Sequence, residues 1–206
     1  MSFPDTFDKG KNAVDEFMLK EYESIAAAHF NSQNGLRQQF QFYLLIVAVP
    51  LTVLGIAFRD RPGAEIDKIG LFKLPHIVGF VFLASGVLGF LMLLSMIHTA
   101  LDASLYARTV NGVRHYFIDR GAALQLTFKH YLKMPIAQNR PHYFHIRSFF
   151  WQVILVAVVN SVYVCIGVSS FYYAPCVSGL IVGLASLGQF CMYWVFCRQR
   201  EDGEIG

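Results

Sequence analysis

Seven histidines and four cysteines are the residues of this chain best suited to metal or redox chemistry. His142 and His145 lie three residues apart, a spacing that on a helix turns two imidazoles to one side as a metal ion requires. His115, His130 and His142 are each followed by tyrosine. Pro141 precedes the closest pair, however, and no Asp or Glu stands beside it to act as third ligand or general base. His76 and His98 flank an apolar segment at opposite ends, which offers no facing pair for a haem. Cys165, Cys176, Cys191 and Cys197 form neither a C-x-x-C pair nor a Cys/His zinc spacing. They read as small apolar residues. Glycine-rich phosphate loops, nucleophile elbows and paired carboxylates are missing as well. The expectation is a protein without catalytic residues, metal or cofactor. A membrane enzyme using the loop histidines is the weakest alternative.

The elements that would position any such group are apolar. Hydrophobic residues make up 55 % of the 206, charged residues only 15 %, and the mean hydropathy is +0.44. A soluble domain needs about 25 % charged residues to face water, so these values exclude an ordinary soluble enzyme, a coiled coil and a disordered chain. Crossing a bilayer core of about 30 Å takes roughly 17–25 apolar helical residues. Four segments have that length without one Asp, Glu, Lys or Arg: 42–58, 77–97, 149–173 and 177–196. Only Ala174, Pro175 and Cys176 separate the last two, which predicts a tight antiparallel hairpin. The first 40 residues are charged and contain no apolar run, so they are not read as a cleavable signal peptide.

Four spans place both termini on the same side as the 98–148 loop. That side carries 13 of the 17 Lys and Arg residues, and the 59–76 loop carries the other four. Positive charge is retained in the cytoplasm. The expected fold is therefore an all-α, integral membrane four-helix bundle with both termini inside, in a bacterial inner membrane by default. Tyr43, Trp151, Tyr172, Tyr173, Tyr193 and Trp194 suit anchoring at the membrane surfaces.

Residues 1–41 and 98–148 form the expected cytoplasmic helical module, with 197–206 as a tail. Val14, Met18, Tyr22, Ile25 and His29 recur at helical spacing. Asn34-Gly35 is a turn signal expected to break this helix from the first span; the alternative is one continuous helix. Leu101, Leu105, Val110, Val113 and Phe117 extend the second span as a helix toward Gly121. A further short amphipathic piece is expected over 122–134. Two amphipathic helices need apolar partners, and packing on each other or on another subunit supplies them.

Within the spans, small residues permit close helix packing and polar ones hydrogen-bond across helices. Ala157, Ser161, Cys165 and Ser169 make one stripe, Gly179 and Gly183 another, and Ser85 with Gly89 a third. These stripes are expected to pack within the hairpin of one subunit, the alternative being packing between subunits. Asn160 and Gln189 lie roughly 16 and 10 Å deep by helical rise. They are expected to fix helix register by hydrogen bonding, or else to line a polar path. Pro50 removes a backbone donor in the first span and marks a kink or a hinge. Ion-coupled carriers and voltage sensors need intramembrane charge, which these spans lack. Passive conduction needs none, but several copies must then surround the pore.

The 98–148 loop has seven cations against two acids. Arg114, Arg120 and Lys129, interleaved with Tyr116, Phe117 and Phe128, are the candidate contacts to an anion or an acidic partner; binding of the loop to anionic lipid is the simpler account. A net charge of +3 argues against a nucleic-acid partner. The functional expectation is a homo-oligomer in membrane lipid, whose cytoplasmic module senses a ligand or partner and alters permeability. Small bacterial membrane effectors, some of them in antiviral defence, share this plan. The alternative is an anchor that recruits a soluble cytoplasmic protein.

Overall fold

Four helices account for nearly all of the described chain: α1 (Thr6–Arg59), α2 (His76–Ala123), α3 (Ser148–Phe171) and α4 (Pro175–Gly203). The structure is a computed structural model, and it describes residues 6–59, 76–123, 141–144, 148–171 and 175–203. Each of the four helices is long and apolar enough to cross a membrane. Four hydrophobic helices of this kind suggest a membrane protein. The 124–134 stretch of the expected short helix, with Lys129, lies outside the described residues, as does His145.

The expected break at Asn34-Gly35 does not occur, and α1 is a single helix of 54 residues. An interior glycine costs a helix only about 1 kcal/mol relative to alanine. The good helix formers around it, Ala26 to Ala28 before and Leu36 to Gln39 after, outweigh that local preference. The second apolar run and its extension likewise form one 48-residue helix, α2, which passes through Gly121. Helix α4 continues beyond Phe196 to Gly203.

The chain divides into two compact units, Met1–Asn34 with Ala100–Tyr143, and Gly35–Thr99 with Phe144–Gly206. Both long helices contribute to each unit. In the first unit, Met18, Tyr22, Ile25 and His29 form a half-buried stripe at helical spacing on α1. Leu101, Ala103, Val110, Val113 and Ile118 of α2 are buried there. His29 Nδ1 donates to the Ala103 carbonyl at 2.9 Å, while His29 Nε2 accepts from Gln33 Nε2 at 3.1 Å. This pairing needs the tautomer with its proton on Nδ1.

The second unit is held by helix packing at very close range. Val78 and Phe82 of α2 and Tyr163 of α3 form one buried cluster of it, backed by Val47, Val53, Leu54, Val159 and Ile166. Phe82 and Tyr163 meet edge to face, with centroids 5.2 Å apart. Glycines set the α2–α3 distance. A Cβ on Gly167 would lie 2.8 Å from the Leu83 backbone nitrogen, and one on Gly86 would lie 3.1 Å from the Val164 nitrogen. Tyr193 of α4 is buried within an aromatic group that includes Phe144 and Phe149. Facing outward are Leu45, Leu51 and Ile56 of α1 and Leu180, Leu184 and Leu187 of α4.

Candidate functional site: a buried polar network among apolar helices

Polar side chains from α1, α3 and α4 converge inside the second unit. Tyr43 Oη donates to Asn160 Oδ1 at 3.2 Å, with the Val156 carbonyl as a second acceptor at 3.4 Å. Asn160 Nδ2 donates to Gln189 Oε1 at 3.2 Å. Gln189 Nε2 in turn donates to Ser161 Oγ at 3.2 Å, with the Ala185 and Ala157 carbonyls at 3.3 and 3.4 Å. Ser161 Oγ closes the chain on the Ala157 carbonyl at 2.7 Å. Donation thus runs in one direction from Tyr43 to Ala157, so each bond polarises the next.

Burial gives this network its weight. Tyr43 and Asn160 are each 2 % exposed, Ser161 0 % and Gln189 7 %. An unpaired polar group in such surroundings costs about 1–3 kcal/mol, so the bonds tie α1, α3 and α4 to one register. Helix α2 contributes space rather than a donor. A Cβ on Gly89 would stand 2.1 Å from Asn160 Oδ1 and 3.2 Å from the Tyr43 ring. One turn before Tyr43, Gln39 Nε2 donates to Ser95 Oγ and Thr99 Oγ1 at 3.0 and 3.1 Å. That contact joins α1 to α2 as well.

The residues singled out from sequence fall into three groups. Asn160, Ser161 and Gln189 meet in the network. Pro50 is fully buried inside α1. Gly179 and Gly183 are exposed, and among the described residues nothing lies within 4 Å of a Cβ built on either. Tyr43 and Tyr193 had the position of surface anchors but are interior, each 2 % exposed, whereas Trp151 is 63 % exposed.

In the first unit Arg114 and Arg120 join α2 to α1. Arg120 Nη1 pairs with Asp15 and donates to Tyr116 Oη at 3.0 Å. Arg114 donates to Tyr22 Oη at 3.3 Å and to Asn111 Oδ1 at 3.5 Å. Arg108 is buried, donates from Nε to the Pro141 carbonyl at 2.8 Å, and lies 4.0 Å above the Tyr143 ring. His142 is exposed, and His115 pairs with Asp119 at 2.8 Å along its own helix. Among the described residues no three His, Cys, Asp or Glu side chains converge as metal ligands.

No protein-family model matches the chain, and neither a curated protein nor a solved structure shows detectable similarity to it.

Proposed function

We propose that the chain is a non-enzymatic integral membrane protein that acts as a homo-oligomer. Its first unit, on the cytoplasmic side, takes up a ligand or partner, and membrane permeability changes in response. One observation carries the reading: α1 and α2 each supply an apolar, outward-facing stretch to one unit and a charge-paired stretch to the other. The exposed leucines and isoleucines of the second unit are unfavourable in water and at home in lipid. The Asp15–Arg120 pairing belongs in an aqueous setting, where its ions keep part of their hydration. The distribution of Lys and Arg favours the cytoplasmic side for the first unit and both termini. Bacterial effectors of this plan, including those of antiviral defence, give the reading its biological setting.

The buried Tyr43–Asn160–Gln189 network occupies the interior of the second unit. A permeation path would therefore run between copies, along apolar faces that conduct when they wet. The same filled interior favours a second reading, an anchor that recruits a soluble protein through its first unit. Reconstitution into vesicles loaded with carboxyfluorescein and potassium separates the two. Efflux that rises more steeply than linearly with protein-to-lipid ratio is expected for an oligomeric pore. Tight vesicles, with the protein inserted and the first unit accessible, would leave the anchor reading in its place.

A further inference from the structure

Three successive carbonyls of α1 depart from a plain helical ladder. Pro50 has no N–H to give to the Ile46 carbonyl. The next carbonyl, Val47, accepts from Tyr163 Oη at 2.7 Å. The one after, Ala48, accepts from Thr52 Oγ1 at 2.9 Å, a back-bond of the kind that bends helices. Prolines inside apolar helices are tolerated where neighbours support the backbone they disturb, and here Tyr163 of α3 bonds the Val47 carbonyl, next to the Ile46 carbonyl that Pro50 leaves without its donor.

The two sides of Pro50 are held differently. Before it, Tyr43 donates to α3 and Tyr163 donates back to α1, so hydroxyl bonds run both ways between the two helices. After it, Val53 and Leu54 pack against the cluster of Val78, Phe82 and Tyr163, an apolar contact among the described residues. Leu51 and Ile56 are exposed. We infer that residues 51–59 form a lever that bends about Pro50, with Tyr163 as its latch. The hydroxyl steadies the carbonyl before the pivot, and the ring seats the side chains after it. This inference concerns the second unit alone and holds whether the protein conducts or only anchors.

The test uses the full chain in lipid nanodiscs. Bio-orthogonal spin labels replace Ile56 and Leu155, both exposed, so that the native cysteines stay in place. Ile56 lies about 9 Å along the axis beyond Pro50, so a bend of about 20° displaces it by about 3 Å. Tyr163→Phe keeps the ring and removes the hydroxyl. It should add a second population to the Ile56–Leu155 distance distribution, displaced by about 1 Å along the mostly axial vector between the labels and by about 3 Å at most. In a Pro50→Ala background, which restores the missing donor to Ile46, the same change should add none. An unchanged distribution in Tyr163→Phe, or an equal change with and without Pro50, overturns the inference. Pro50→Ala alone gives an independent check should Tyr163→Phe fail to fold. It should narrow the native distribution, and an unaltered width counts against the lever.

Discussion

Asn160 and Gln189 meet amide to amide: Nδ2 of the first donates to Oε1 of the second at 3.2 Å, and both side chains are buried. Removing either partner strands the other, so Gln189→Ala and Asn160→Ala should each destabilise the protein by about 1–3 kcal/mol. The pairwise coupling in a double-mutant cycle should be smaller, about 1 kcal/mol, because polar groups in lipid find substitute partners when unfolded. Reversible unfolding in mild detergent measures both quantities. Additive single mutants would mean that the two amides do not bond.

Glycine should matter unevenly. Gly167→Ala drives a methyl against backbone atoms, the Leu83 nitrogen at 2.8 Å and the Gly79 oxygen at 3.0 Å. The helices must separate, with an expected loss of about 1–3 kcal/mol, as for other overpacked interiors. Gly183→Ala meets nothing within 4 Å among the described residues, and it should be neutral or stabilise the helix by up to about 1 kcal/mol. The melting temperature of detergent-solubilised Gly167→Ala should fall while that of Gly183→Ala holds or rises, and equal losses would refute the contrast.

In the first unit, Asp15 and Arg120 are about one-third exposed, at 33 % and 28 %. Solvent screening limits such a pair to about 1 kcal/mol. Asp15→Asn should therefore raise hydrogen exchange of the 14–29 backbone by roughly fivefold, and high salt should shrink the difference. Exchanging the charges, Asp15→Arg with Arg120→Asp, should recover much of the protection. Failure of that swap while each single reversal is damaging would assign the effect to packing.

Arg108 ties residues 141–144 to α2 by donating from Nε to the Pro141 carbonyl and by lying over the face of the Tyr143 ring. Arg108→Lys keeps the charge but loses the planar stack and the Nε donor. Local opening of the segment should become easier by about 2 kcal/mol, roughly thirtyfold. Peptide-level hydrogen exchange covering Tyr143 reads this directly. Unchanged exchange would show that Arg108 does not anchor the segment.

Much of the helix layout can be read from amino-acid order, because long charge-free runs have few other solutions and because Met18, Tyr22, Ile25 and His29 keep a helical period. The meeting of Asn160 with Gln189 is also readable, since two carboxamides on adjacent apolar helices have few other partners. Tyr43 is not. It sits near the start of its apolar run, where tyrosine ordinarily faces a membrane surface, and only its alignment with Val47 and Pro50 along one side of α1 hints at the interior. The glycine motifs show a related limit. Gly179 and Gly183 announce a surface fit for close approach but not the neighbour, and among the described residues the close approaches are made by Gly79, Gly86, Gly89 and Gly167. Asn34-Gly35 misleads for a third reason: a local turn preference of about 1 kcal/mol yields to a helix favoured on both sides.

The notch at Gly89 ties together the heredity of two distant positions. Every other amino acid brings a Cβ into the place of the Asn160 carboxamide oxygen. A lineage that replaces Gly89 must therefore displace the Asn160 carboxamide or acquire a shorter residue at 160, and Gln189 then loses its donor. Comparison of descendants should show the three sites changing as a set, while Gly183 drifts independently.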